Sequence, residues 1–433
     1  MSEITEKKKG LLRSFPKNFW IVILMEFFER GSYYGVMSVL SVFLVMSVAE
    51  GGLGFSKESV GIMNSVTRPL LYFLPIISGA IADRFGYRKM LMFAFAVMST
   101  GYLLTGLVHT YFLVFASLIL MTLGAGSFKP IISGTIARNT NENNSTLGFG
   151  IYYWSINLGA FIFPLILVPW LKGISWSFIF FMAAIGTGWL LLLNFFVYKE
   201  PKKPESSKSL LRVFADMILV LKDFRFILMI VIYSGFWILY FQMFDTVLWY
   251  LKEHMDMVPV DSFVNSILGL FIDKPNWKFD AEHVTVINAG TIIVLQIVVS
   301  NIVKKTKALP TMIVGIGLGT IGMAMLAIST YAWVFMAGII IFSLGEMTAH
   351  PKFISYVGLI APEDKKALYL GYSFLYGVIG SGIGGYLGAR AYVHFVDNLH
   401  SPSTLWFMFS LIGVATIIGL LLFAKFLAPK GKH

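Results

Sequence analysis

Residues 26–35 read EFFERGSYYG inside an otherwise apolar stretch. Glu26, Glu29, Arg30 and Tyr33 fall at i, i+3, i+4 and i+7, the spacing that places side chains on one face of a helix, and Tyr34 stands beside them. Two carboxylates and one guanidinium form a titratable stripe of net negative charge. Arg30 can hold one carboxylate ionised. The other is left in a low dielectric without a full partner, where it can carry a proton. Arg30 can equally grip a ligand carboxylate bidentately, and in doing so it would release its glutamate. Proton and ligand binding would then be linked through one side chain.

Further charges lie in apolar segments: Arg68, Lys129, Asp245 and Glu346, with Lys352 and Arg390 near enough to segment ends to snorkel. A charge at the centre of a bilayer costs about 2.5–3.5 kcal/mol on insertion scales, so such residues usually pair or face a cavity. Lys129 precedes Pro130, and Glu346 stands five residues before Pro351. Asn157 is a lone amide among aromatics, suited either to a peptide-like group or to bridging two helices. Trp237 and Gln242 precede Asp245 in FWILYFQMFD. His350 lies one turn from Glu346, where it could tune that carboxylate, although packing against a helix is the commoner role of such a histidine. The seven histidines are scattered and there is no cysteine, so neither a metal site nor thiol chemistry is expected. No phosphate-cradling Gly-Lys-Ser/Thr loop is present, and no constellation points to an enzyme.

The elements that must carry these residues follow from composition. Of 433 residues, 57% are hydrophobic and 13% charged, against roughly 25% charged in soluble domains, and mean hydropathy is +0.76. A water-soluble fold is excluded, and the expectation is an all-α polytopic membrane protein. At about 20 apolar residues per crossing, twelve spans are expected, near 18–48, 57–82, 88–109, 111–137, 147–170, 176–198, 226–251, 281–302, 309–329, 331–360, 367–396 and 403–427. The stretch 199–225 is rich in Lys, Pro and Ser and reads as a linker. It divides the chain into an N-terminal six-helix bundle, 1–198, and a C-terminal one, 226–433. Residues 252–280 form a second long loop. The first apolar stretch is too long for a cleaved signal peptide and reads as an uncleaved span.

With the N-terminus on the cytoplasmic side, the cytoplasmic segments hold 24 of the 34 Lys/Arg, the opposite side five and the spans five. This asymmetry obeys the positive-inside rule and puts both termini and the linker in the cytoplasm of a cell (inner or plasma) membrane protein. The basic excess is spread over seven segments, so it is a topology signal and no nucleic-acid partner is implied. Two six-helix halves suggest the major facilitator architecture, with a midplane site between rocking halves. The loop GAIADRFGYRK supports it: Gly79, Asp83, Arg84, Gly86, Arg88 and Lys89 match that superfamily's G-x-x-x-D-R-x-G-x-R-K pattern. In that architecture Lys129 and Glu346 occupy equivalent places in spans four and ten, and a cross-half ion pair between them is expected as an inner gate. Arg68 and Asp245 are expected to pair as an outer gate.

The segments EFFERGSYYG, GAGSFKP, YYWSINLGA, FWILYFQ and GEMTAHP resemble, in order, motifs of spans one, four, five, seven and ten in the proton-coupled oligopeptide transporters. The resemblance implies uptake of di- and tripeptides driven by a proton gradient, with no other cofactor. It assigns Glu26, Glu29 and Arg30 to proton coupling. Arg30 and Lys129 would meet the substrate carboxyl end, Tyr33, Tyr34, Asn157 and Gln242 would line the site, and Glu346 would receive the amino group. This sequence departs from the family at Gly31, where a bulky residue is usual, and at Phe241, where an acid often precedes the Gln. It departs also at His350, Lys352 and Phe353 around Pro351. The linker is too short for the two extra helices that many bacterial members insert there. A carrier of another zwitterionic or anionic solute is the alternative. A peptide requires both the cations and Glu346, whereas a simple anion does not require Glu346.

Overall fold

A computed structural model describes residues 14–141, 144–201 and 210–428. Among these residues twelve helical crossings run back and forth. Ten are helices that qualify as spans by length and apolarity alone. The other two are the first and the eleventh. Lys17–Met37 carries Glu26, Glu29 and Arg30 at its centre, and Leu375–Tyr392 is rich in glycine. Both facts lower hydropathy, and both belong to what these helices do.

Several spans are broken where sequence periodicity alone suggests continuity. The first runs Lys17–Met37, turns at Val39 (φ −132°), and resumes as Leu40–Val45. The seventh runs Phe224–Gln242 and restarts as Thr246–His254 beyond Asp245, whose φ and ψ are −131° and −91°. The fifth, Ser145–Ile162, widens into a π-turn over Phe163–Leu167 before Val168–Lys172. Pro164 and Pro169 supply no N–H there, so the regular ladder cannot run through. The eleventh consists of Lys366–Tyr372 and Leu375–Tyr392 and ends in a π-turn, Val393–Asn398. The linker holds a helix, Leu210–Leu221. The stretch expected as a long loop after span seven holds a helix too, Val258–Leu268. Asn265 and Trp277 exchange two hydrogen bonds of 2.8 Å to fold it into a hairpin.

The remaining spans are Lys57–Phe85, Tyr87–Leu107, Tyr111–Arg138, Ser177–Phe196, Glu282–Val303, Ala308–Ile328, Ala332–Ile360 and Pro402–Phe426. Their packing repeats with a shift of six. In the first half, span one packs on five and six, two on four, and three on four and six. In the second half, seven packs on eleven and twelve, eight on ten, and nine on ten and twelve. Two extensive contacts join the halves, span two on eleven and span five on eight, and the same shift exchanges them. The chain is thus two copies of one bundle placed face to face, the major facilitator fold. We call the end holding the linker the linker end and its opposite the distal end.

Small residues allow the joining spans to touch. A Cβ on Gly61 of span two would lie 2.4 Å from the Cβ of Ala389 and 2.8 Å from the carbonyl of Gly385, both in span eleven. Backbones that close need glycine on at least one side.

The loop motif between spans two and three is explained by its own contacts. Gly86 has φ +107°, a region L side chains avoid, and a Cβ there would lie 2.5 Å from the Glu200 carboxylate. Glu200 in turn accepts from the Tyr87 N–H at 2.9 Å, capping span three from beyond the end of span six. Asp83 pairs with Arg138 of span four at 3.1 Å and accepts from the Tyr87 hydroxyl at 3.1 Å. Arg88 donates to the carbonyl of Phe195, and Asn194 donates to the carbonyl of Arg88 at 3.0 Å. Arg84 lies over the Phe85 ring, Lys89 is exposed, and Gly79 faces Pro130, which a Cβ there would meet at 3.6 Å, an ordinary contact. The motif locks four spans of one half together.

Candidate functional site

The three ionic groups of span one are buried together, each 3% exposed or less. Their partnership is unequal. Arg30 donates to Glu29 through Nε at 2.5 Å and Nη2 at 2.6 Å, a bidentate grip. Glu26, one turn earlier, lies 3.7 Å from Arg30 Nε, and its Oε2 makes no hydrogen bond. One carboxylate is therefore clamped and its neighbour is not. Tyr33 lies under the guanidinium at 4.8 Å and Tyr34 at 6.0 Å, so the stripe read from the spacing is one continuous surface. Gly31, a departure from the family pattern, sits where a side chain would meet the Phe163 ring at 2.4 Å. The π-turn of span five supplies the bulk that this position lacks.

Lys129 of span four stands 5.3 Å from the centroid of the Tyr72 ring. Tyr72 belongs to span two and meets the second half edge-on, at 6.1 Å from Trp237 and 5.8 Å from Phe241. Glu346 of span ten accepts from Asn288 of span eight at 3.0 Å. The inner-gate ion pair expected between Lys129 and Glu346 is not formed. Each charge is held within or against its own surroundings, Lys129 by an aromatic face and Glu346 by an amide, at a depth where the two halves are not drawn together by salt bridges.

Three further polar side chains have partners within the protein. Gln242 is 0% exposed. Its Nε2 donates to the carbonyls of Ile238 and Gly384, and its Oε1 accepts from Thr246 at 3.0 Å. Both donor hydrogens and one acceptor position go into the break of span seven and the seam with span eleven, so in this structure Gln242 serves the packing of those spans. Asn157 donates to the carbonyl of Tyr153 in its own helix at 2.9 Å. His350 is caged by Trp237 at 5.4 Å and Tyr376 at 5.5 Å and reaches the Tyr233 hydroxyl at 3.5 Å. That is an aromatic packing role. Lys352 donates to the carbonyl of Thr306 at 2.7 Å, away from the site, and Arg390 lies over Tyr386.

At the distal end the halves are clasped. Arg68 grips Asp245 bidentately at 2.6 and 2.7 Å. Asn64 donates to the same carboxylate at 2.9 Å, and Ser41 donates to it as well. Asp245 is 3% exposed, so its charge is held by three donors from the opposite half. Further out, Lys57 bonds Glu253 at 2.9 Å and Asp397 at 2.8 Å. Lys172 bonds Asp280 at 2.9 Å and Glu282 at 2.6 Å. In all three ties the cation comes from the first half and the carboxylates from the second. Burial pushes the Asp280 carboxyl up, but Lys172 and Lys252 beside it outweigh that and hold it below the usual range. Sequence reasoning found Arg68 and Asp245 because each interrupts an apolar run. It missed Lys57, Lys172, Glu253, Glu282 and Asp397, which lie at span ends where a charge looks like ordinary solvation. It missed Ser41, Asn64, Tyr72 and Asn288 because neutral polar and aromatic residues carry no such signal.

The comparisons agree with this geometry. The model of the Major Facilitator Superfamily matches residues 20–385. A di-/tripeptide transporter of Lactococcus lactis subsp. lactis (strain IL1403) is 28% identical over 46% of this chain and 41% of its own length. Dipeptide and tripeptide permease A of Escherichia coli (strain K12) is 30% identical over 45% of this chain and 38% of its own. The chain thus spans less than half the length of the curated relatives it matches. A POT family transporter solved with 5-aminolevulinic acid superposes with a TM-score of 0.76 at 21% identity, covering 96% of this chain and 99% of that one. Another, solved with a thioalcohol-conjugated peptide, gives 0.76 at 22% identity, covering 97% and 100%. With two six-helix bundles related by one shift, the loop motif locked as described and a family model spanning most of its length, the chain belongs to the Major Facilitator Superfamily, and within it the similarity is to the proton-coupled oligopeptide transporters.

Proposed function

We propose that this protein is a multi-pass symporter of the cell membrane that moves di- and tripeptides inward with protons by alternating access, its termini and linker facing the cytoplasm. The observation that carries the reading is the unequal pair on span one: Arg30 clamps Glu29 bidentately while Glu26 keeps an unbonded oxygen. Glu26 holds the proton. Arg30, with Lys129 nearby, takes the peptide carboxylate, and Glu346, steadied by Asn288, takes its amino group. Tyr33 and Tyr34 wall the site beside them. When the peptide carboxylate engages Arg30, Glu29 loses part of its clamp, so the charge balance of the stripe depends on whether Glu26 is protonated. The Arg68–Asp245 tie is the distal gate. A proton moving down 100 mV supplies about 2.3 kcal/mol, equivalent to roughly a fiftyfold concentration ratio.

The test is uptake of radiolabelled dialanine into proteoliposomes under an inward proton gradient, with and without an uncoupler. Uncoupler-sensitive accumulation is expected. Absence of uptake by a preparation that binds other solutes would sink peptide symport and favour a carrier of a different zwitterion or anion.

A further inference from the structure

The surface at the linker end carries a feature that the transport reading does not use. Spans nine and twelve pack side by side. Between the start of nine and the end of twelve they leave a groove of about 440 Å³, lined by Leu309, Pro310, Ile313, Leu421, Ala424 and Lys425. Its walls are apolar save for that lysine. Lys304, Lys305 and Lys307, all exposed, lead into span nine just beyond the groove. The turn that carries them is fixed: Lys352 bonds the Thr306 carbonyl at 2.7 Å, and Thr311 bonds the Thr306 hydroxyl at 2.6 Å and the Lys307 carbonyl at 2.7 Å. Among the described residues none of these four exposed lysines forms an ion pair with a carboxylate. An apolar slot that opens at one end onto a fixed cluster of cations has the chemistry of one kind of ligand, a molecule with an acyl chain and an anionic head.

We propose that the groove between spans nine and twelve is a binding site for an anionic phospholipid of the leaflet at the linker end. An acyl chain lies along Leu309, Ile313 and Leu421, and the phosphate is met by Lys425 and the Lys304–Lys307 turn. A free anion would gain nothing from the apolar walls, and a zwitterionic lipid would bring its own cation into a cluster that already lacks a counter-charge. Each lysine near an anionic lipid surface contributes about fivefold in affinity, so three together are worth far more than the scatter among lipids of one charge.

The experiment is binding of a fluorescent phosphatidylglycerol to the purified full chain in detergent, with unlabelled phosphatidylglycerol, phosphatidylcholine and inorganic phosphate as competitors. Phosphatidylglycerol should displace the probe, and the other two should not at the same concentration. The triple variant Lys305→Gln, Lys307→Gln, Lys425→Gln should bind at least tenfold more weakly. Lys274→Gln, Lys278→Gln at the distal end should bind as the parent does. Ala424→Trp fills the groove while keeping every charge, and should weaken binding at least threefold. Equal competition by phosphatidylcholine, displacement by inorganic phosphate, an equal loss in the distal variant, or full binding by Ala424→Trp would each overturn the proposal.

Discussion

At the scale of single residues, the decisive feature is that two glutamates one turn apart are not equivalent. Glu29 has both oxygens on Arg30, whereas Glu26 stands 3.7 Å from Arg30 and keeps one oxygen without a hydrogen bond. Glu26→Gln removes the proposed proton carrier without disturbing the clamp. It should abolish proton-driven accumulation while leaving peptide counterflow within about threefold of the parent. Glu29→Gln leaves a buried guanidinium without its bidentate partner, which costs about 3–5 kcal/mol when a buried pair is broken. It should lower both activities together with thermal stability. Accumulation that survives in Glu26→Gln would show that another group carries the proton. The spacing of EFFER made this stripe legible. Which carboxylate the guanidinium takes depends on side-chain conformations inside the packed bundle.

At the scale of elements, helix breaks and glycine contacts decide how the spans meet. Spans one and seven break at Val39 and near Asp245, and across that level Trp249 donates to the Ser41 carbonyl at 2.9 Å. Span two lies against span eleven at Gly61 because neither backbone is held off by side chains. Gly61→Val should cost about 1–3 kcal/mol through overpacking and should wedge the distal seam. A thermal melt and the distance between spin labels on Val48→Cys and Leu399→Cys, both exposed distal positions in opposite halves, test this. An unchanged distance would mean that the seam accommodates the side chain. The chain has no native cysteine, so the labels report from those two sites alone. Apolar run length revealed the twelve crossings. It could not reveal breaks at a valine or at an aspartate bound by the other half, because those depend on partners far away in sequence.

At the scale of the whole molecule, the distal clasp has one polarity: Lys57, Arg68 and Lys172 of the first half face Glu253, Asp245, Asp280, Glu282 and Asp397 of the second. Removing two of its cations together, Lys57→Gln with Lys172→Gln, should lengthen the same spin-label distance and populate a distally open state. The Lys57 pairs have partly exposed carboxylates and are worth about 0–1 kcal/mol each, whereas Lys172 meets the buried Glu282, so most of the shift should come from Lys172, and it should be partial while Arg68–Asp245 persists. No change at all would remove the outer lysines from the gate. The pH dependence is set by sign. Asp280 has its carboxyl held below the usual range, with burial opposing and Lys172 and Lys252 prevailing. Its contribution is therefore present above the ordinary aspartate value of about 4 and is lost as pH falls through the lowered one. In Glu282→Gln, where Asp280 is the remaining carboxylate on Lys172, the seam should stay closed between pH 7 and pH 5. Opening within that range would mean that Asp280 does not hold it.

The amino-acid sequence by itself determined that this chain crosses a membrane many times, in two halves, with two carboxylates and a guanidinium on one face of its first span. Those properties rest on composition, run length and helical period, which are local. Tertiary structure alone decided the rest. Lys129 faces Tyr72 and not Glu346, Gln242 bonds the seam between spans seven and eleven, and charges at span ends become a one-way clasp. Each of these depends on which half supplies the nearest partner, and side chains in a low dielectric commit to the partner within reach.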